Sequence, residues 1–390
     1  MALKKASLLS LAVLLSLTSG QAAVSAAQEN SQVTSSDVLS INDVQVKNPE
    51  QMQLDKQELN ALVDRAAGVA EDERAQYLSE SPAARSLAPQ QVIINYSFAD
   101  EENDYFYQDT GREQSLIVTP ASQTNEETAP DAVQEAPAVE EAAPEQAFAA
   151  AAAEDKIPGG IGARAVINSS SGNLLESKWQ LPTDSEVAGD SNSVYVYTGL
   201  RGSAAEVDAN VSYNTNGEKK WKPRLCFKTN AKGAKCVEGV AQSGYNQVQS
   251  SNGFAPGAVL QTAFWKSFND PSRGISNAIR LKLTGKAICT TMGCSDSADK
   301  TLIHILEVNN KSKQLGTLQY FKLLGTLADL KDANGNVKKK ASGKLKTKFT
   351  DIKLDKKAVN FNSNSLITDH AKASYSGNSV TVDVNSAYPQ

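Results

Sequence analysis

The chain has 390 residues, with 44 Asp+Glu against 39 Lys+Arg and only two His, for a formal charge of −5. That average conceals two opposite parts: residues 28–156 carry 26 acids against 7 bases, and residues 157–390 carry 18 acids against 30 bases. Two histidines leave little room for His-dependent catalysis. The densest lysine cluster, Lys338–Lys340 with Lys344, Lys346 and Lys348, has few of the stacking aromatics that single-strand nucleic-acid binders place beside their basic residues. With the expected export, this argues against nucleic acid as a partner.

Residues 1–27 read as a signal peptide. Lys4 and Lys5 precede the apolar run Leu8–Leu17, and small residues follow through Ala27. This charged, apolar and small-residue order directs export, and the run is too short to span a bilayer. An exported protein without stable membrane insertion is expected, placed outside the cell, at its surface or in a periplasm.

Residues 28–119 form an acidic region of short helical and extended pieces, mostly disordered overall. Leu54, Leu59, Leu62, Val63, Ala66 and Ala67 recur at threes and fours, predicting a helix that Pro82 ends. Extended pieces follow at Gln91–Phe98 and Ser115–Val118, with the acidic-aromatic run Asp100–Asp109 between them. These pieces suit docking on another surface, being too few for a core of their own. Residues 120–157 alternate Pro, Ala and Glu and predict a disordered linker, because such a composition buries too little apolar surface to offset its ordering entropy.

Residues 158–390 read as one basic domain of antiparallel β-strands. Val194–Tyr197, Val207–Tyr213 and Trp221–Lys228 keep a two-residue period, with a break at Gly199–Gly202 and turns at Asn214–Gly217 and Lys232-Gly233. Further strands are predicted at Ala163–Asn168, Tyr245–Val248, Ala258–Lys266, Ala278–Thr284, Thr301–Val308, Leu318–Leu323, Leu345–Leu354 and Ser379–Val384. Many short strands without intervening helical periods indicate an all-β sandwich or barrel. The run Tyr195-Val-Tyr-Thr-Gly-Leu-Arg-Gly, with Glu206-Val-Asp-Ala-Asn-Val-Ser-Tyr and Trp221-Lys-Pro-Arg-Leu, resembles the core of secreted concanavalin-like and laminin-G-like jelly rolls. That resemblance implies an antiparallel jelly-roll β-sandwich and hints at glycan binding on one sheet or its rim.

Few residues qualify for chemistry. Cys226 and Cys236 bracket one turn, and Cys289 and Cys294 another, so a disulfide within each hairpin is expected in an exported protein. Neither spacing matches a zinc site, and no metal or cofactor is expected. Asp332-Ala-Asn-Gly-Asn begins like a calcium loop, but Val337 and Gly343 stand where that loop needs glycine and a carboxylate. His304 reads as a partly buried strand histidine and His370 as a turn histidine. No nucleophile elbow, zinc-binding helix or phosphate-binding loop is present.

Glu206 and Asp208 lie two apart on a predicted strand, so both face one side. They are candidates for acid and base in glycan cleavage, or for hydrogen bonding to a sugar. Trp221, flanked by Lys220 and Lys222, is the expected exposed stacking residue, with Tyr195 and Tyr197 beside it. Trp265, within Leu260–Phe268, reads as core. The functional expectation is a non-catalytic module for an envelope or extracellular glycan or anionic polymer. Its acidic region would fold back on the basic domain as a masking propeptide. A self-assembling surface protein and a glycan-cleaving enzyme are the alternatives.

Overall fold

The computed structural model describes residues 39–47, 54–80, 84–121, 157, 159–189, 194–215, 219–229, 232–238, 253–288, 300–331 and 336–389. The expected signal peptide, nearly all of the expected linker, the strand at Tyr245–Val248 and the Cys289–Cys294 hairpin lie outside these residues.

The acidic region contributes β1 (Leu39–Ile41), β2 (Val44–Lys47), the helix α1 (Lys56–Glu80), β3 (Val92–Ala99), β4 (Asn103–Asp109) and β5 (Gln114–Pro120). The basic region begins with β6 (Gly160–Asn168), β7 (Leu174–Gln180), β8 (Ala188–Gly189), β9 (Val194–Gly202), β10 (Ala205–Tyr213), β11 (Trp221–Thr229), β12 (Lys232–Glu238) and β13 (Gly253–Phe254). It continues with β14 (Val259–Asp270), β15 (Ile275–Ile288), β16 (Thr301–Val308), β17 (Leu318–Ala328), β18 (Leu330–Lys331) and β19 (Val337–Lys339). The chain closes with β20 (Gly343–Leu354), β21 (Lys357–Ala358), β22 (Leu366–Asp369), β23 (Ala371–Ser376) and β24 (Ser379–Asn385). The protein is all-β apart from α1 and a few single turns of 3-10 helix among the described residues.

The strands form two layers. The first runs β1-β2-β5-β4-β3-β16-β15-β14-β7-β20-β24-β23, antiparallel except where β2 meets β5 and β3 meets β16. The second runs β22-β6-β17-β9-β10-β11-β12. Short β13 pairs with both β11 and β15 and joins the layers at one edge.

One apolar core lies between them. Trp179, Phe264, Leu281 and Phe349 come from the first layer, and Val196, Val207, Leu225 and Phe321 from the second. Phe264 and Phe321 meet edge to face across the gap, centroids 6.2 Å apart. Each such side chain contributes about 1.5–3 kcal/mol on full burial.

A second core lies under α1 on the outer face of the first layer. Leu59, Val63, Ala66 and Ala70 pack on Ile94 and Tyr96 of β3, on Ile303 and Ile305 of β16, and on Ala278 of β15. The helix starts cleanly because Asp55 caps it: its Oδ1 accepts the N–H groups of Gln57 and Glu58, and Glu58 accepts the Asp55 N–H in return. The acidic pieces thus share a core with the basic domain. Ion pairs link the same regions: Asp72–Arg273 (2.6 Å), Glu73–Lys282, Glu101–Lys311 (2.6 Å) and Asp104–Lys235 (2.8 Å). The helix lies over β3 and β4 and reaches β16 and β15 through Arg65–Glu307 and Glu73–Lys282, and the groove opens beyond it along β14, β7 and β20.

Candidate functional site

Glu206 and Asp208 do share one face of β10, on the outer side of the second layer. Ala205, Val207, Ala209 and Val211 alternate with them and point into the core. That polar face is nevertheless closed, with Glu206 6% and Asp208 2% exposed. Lys322 of β17 reaches across β9 and places its Nζ on Glu206 Oε1 and 2.9 Å from Asp208 Oδ1. Arg201 holds Glu206 at 2.9 Å and Lys228 holds Asp208 at 2.6 Å.

Gly199 makes the crossing possible. A Cβ there would stand 2.9 Å from Lys322 Cε and 2.2 Å from the Val207 carbonyl oxygen. This is also why β9 continues through Gly202 where the glycines predicted a break. Burial alone would push the Asp208 carboxyl up, but the charges of Lys228 and Lys322 outweigh it and hold it well below the usual carboxylate range. A general acid requires the opposite shift, so the arrangement fits a structural ion network better than an acid–base pair.

The aromatic expectations change as well. Trp221, expected to be exposed, is fully buried, packed 5.1 Å from the Tyr213 ring and paired in register with Phe254. Its parity on β11 is that of Leu225 and Phe227, the core side. Lys220 is buried beside it, and Tyr197 lies under the Lys322 ammonium at 5.5 Å. Lys222 and Tyr195 are half-buried. Trp221 and Tyr197 therefore offer no open stacking surface. Cys226 and Cys236 are cross-strand partners and form the expected disulfide.

Two further buried polar clusters lie at the junction with the acidic region. Glu307, fully buried on β16, accepts Arg65 of α1 at 2.5 Å, the Tyr96 hydroxyl at 2.9 Å and Arg280 Nε at 2.8 Å. His304, also fully buried, has Nε2 3.1 Å from Ser97 Oγ and Nδ1 3.5 Å from Asn95 Nδ2. Burial pushes its imidazole down to about 3, so it is neutral at physiological pH. Ser97 and Asn95 are as buried as the histidine, which makes this a packed polar core and not a triad open to substrate.

The open site lies elsewhere. Between α1 and the uncovered part of the first layer's outer face is a groove of about 610 Å³. Asp72, Glu73 and Gln76 line one wall, and Lys178, Gln261 and Trp265 the floor. On β14 the inward residues are Leu260, Thr262 and Phe264, so Gln261, Ala263 and Trp265 share the outward parity. Trp265 is therefore only partly buried, with one edge on the groove floor and outside both core clusters, steadied edge-on by Phe268 at 5.5 Å.

At the far side β20 bulges between Thr350 and Lys353, with Asp351 at φ 53°, and Asp351 pairs with Lys178 at 2.7 Å. Bulges of this kind re-aim side chains and are frequent beside functional sites. Acids and bases are nearly balanced along the groove, interspersed with amides and hydroxyls. That chemistry suits a polar, uncharged ring with an apolar face. Among the described residues no group of three or more His, Cys, Asp or Glu is placed to hold a metal, and no helix is long and apolar enough to cross a membrane.

Together these features define a two-layer all-β protein with a helix-walled polar groove on one outer face. The chain belongs to the YrpD family, a domain of unknown function, whose model matches residues 154–384. The first three solved structures similar to it are peptidases. A scytalido-glutamic peptidase with a peptide-based transition-state analogue has 14% identity and a TM-score of 0.34, and a second with an analogue inhibitor has 12% and 0.33. SCP-B of the eqolisin family, with the tripeptide Ala-Ile-His, has 14% and 0.33. Each match covers 57% of this chain and 97% of the other. No residue role is carried over at that level of similarity. No curated protein sequence matches the chain.

Proposed function

We propose that this is an exported, non-catalytic glycan-binding protein whose ligand lies in the groove between α1 and strands β14, β7 and β20. One observation carries this: Trp265, a partly exposed indole, stands on the floor of a 610 Å³ groove among amide, hydroxyl and balanced charged groups. Amphipathic aromatics beside hydrogen-bonding groups bind sugars by stacking the ring face and satisfying the hydroxyl edge. The signal-like leader, the Cys226–Cys236 disulfide and the resemblance of residues 195–225 to secreted jelly rolls support the export and ligand class. In this proposal the acidic region is a wall of the site, held by Arg65–Glu307 and the helix core, and not a mask to be removed.

The test is binding of the full chain to a panel of immobilised polysaccharides at 0.15 M and 1 M salt. Retention that survives high salt and drops about tenfold or more in Trp265→Ala, the loss of roughly one stacking contact, is the expected result. Equal retention by Trp265→Ala would remove the groove as the site.

A further inference from the structure

The densest lysine cluster of the sequence acquires a geometry on β20. Its burial alternates strictly: Leu345, Thr347 and Phe349 point inward, while Lys344, Lys346 and Lys348 are exposed on the outer face. Successive exposed lysines are about 6.8 Å apart and the three span about 14 Å. Lysines on strands often protect a free edge from pairing, but β20 is not an edge. It pairs with β24 on one side and with β8 and β7 on the other.

Two acids flank the row without a direct ion pair to it, and the Thr183 hydrogen bonds, helped by the charges of Lys346 and Lys344, hold the Glu186 carboxyl below its usual range. Asp383, opposite Lys346, accepts the Tyr388 hydroxyl at 3.1 Å, and Glu186 accepts the Thr183 N–H and hydroxyl, each at 2.9 Å. Among the described residues neither acid forms an ion pair with the three lysines. The row also continues into the groove. Lys348 pairs in register with Gln180, and two residues further Thr350 pairs with Lys178 on the groove floor.

We infer that the ligand is a linear polysaccharide whose uncharged rings lie in the groove and whose repeated anionic groups lie along Lys344, Lys346 and Lys348, so that the groove contacts outlast high salt and the lysine contacts do not. The inference rests on the groove proposal for the sugar and on charge complementarity for the row. A row of exposed lysines along one face of a strand matches an extended polyanion. A lipid surface would require no alignment with the groove.

The experiment compares dextran with dextran sulfate, which share a backbone and differ in charge, and adds vesicles of phosphatidylglycerol. Full-length wild type is set against Lys344→Gln/Lys346→Gln/Lys348→Gln and a control with the same charge loss elsewhere, Lys313→Gln/Lys356→Gln/Lys357→Gln. The expected result is dextran sulfate binding that weakens about tenfold or more in the β20 variant and little in the control. The slope of log affinity against log salt should also be shallower by about 2–3 in the β20 variant, as fewer counterions are released. Equal losses in both variants, no dextran sulfate binding, or binding to vesicles but not to polymer would each overturn the inference. Trp265→Ala separates the two proposals. If panel binding needs Trp265 while dextran sulfate ignores the β20 lysines, the groove stands and the row fails. If dextran sulfate needs the lysines and panel binding ignores Trp265, the row's role in polyanion binding survives without the groove.

Discussion

The outer faces of the two layers are built from similar residues and end in opposite states. On the second layer, Glu206, Asp208, Lys322, Arg201 and Lys228 meet one another and are sealed. On the first, Asp72, Glu73 and Lys178 are ion-paired with Arg273, Lys282 and Asp351 but, with Gln261 and Trp265, border an open groove beside α1. Charged residues two apart on a strand announce a polar face, but they do not tell whether it meets water or a lysine from two strands away. What distinguishes the faces is the long side chain that crosses at Gly199 in one and the helix that props the other open.

Breaking the closed face should have the largest effect on stability. Lys322→Met leaves two buried carboxylates short of a cation, and urea unfolding should show a loss of about 3–5 kcal/mol. A loss under about 1 kcal/mol would mean that the face is hydrated and open like its counterpart.

Acid should reveal a similar buried term at His304. Its folded pKa lies below the unfolded value, so between about 6.5 and about 3 the unfolded chain binds the extra proton. Stability is therefore complete above about 6.5 and falls as pH drops, by about 1.4 kcal/mol per unit. Thermal melts from pH 7 to 4.5 should show this slope, and His304→Gln should flatten it.

Replacing both Cys226 and Cys236 by serine opens a short loop and should lower stability by about 2–3 kcal/mol in urea. The smallest effect belongs to the open face. Trp265→Ala should lower stability by about 1–2 kcal/mol, less than a fully buried Trp would cost, while removing saccharide retention. A large loss of stability would make Trp265 a core residue after all.

Much of the fold is legible in the residues. The period-two runs from Ala163 to Val384 mark nearly every long strand, and the threes and fours from Leu54 mark α1. Strand β7, with Trp179, escaped because its alternation is hidden among Glu176, Lys178 and Gln180. The parallel pairing of β3 with β16 leaves no local trace, so the acidic region reads as peripheral although it adds strands to the first layer. The tryptophans exchanged roles for a reason that parity already contained. Trp221 is in step with Leu225 and Phe227, and Trp265 with Gln261 and Ala263. Flanking lysines made Trp221 look wet, and apolar neighbours made Trp265 look dry. The ion network was beyond reach because Lys322 and Asp208 lie over a hundred positions apart and meet only through the β17–β9–β10 order.

The most direct measurement is the indole N–H spectrum of the full chain, titrated with the polysaccharide that the binding panel retains best. The three tryptophans give three reporters: Trp179 and Trp221 fully buried, Trp265 partly exposed in the groove. The prediction is a saturating shift of the Trp265 resonance, assigned by its absence in Trp265→Phe, with the other two nearly still. Movement of Trp221 with Trp265 unchanged would place the ligand on the second layer and contradict the groove.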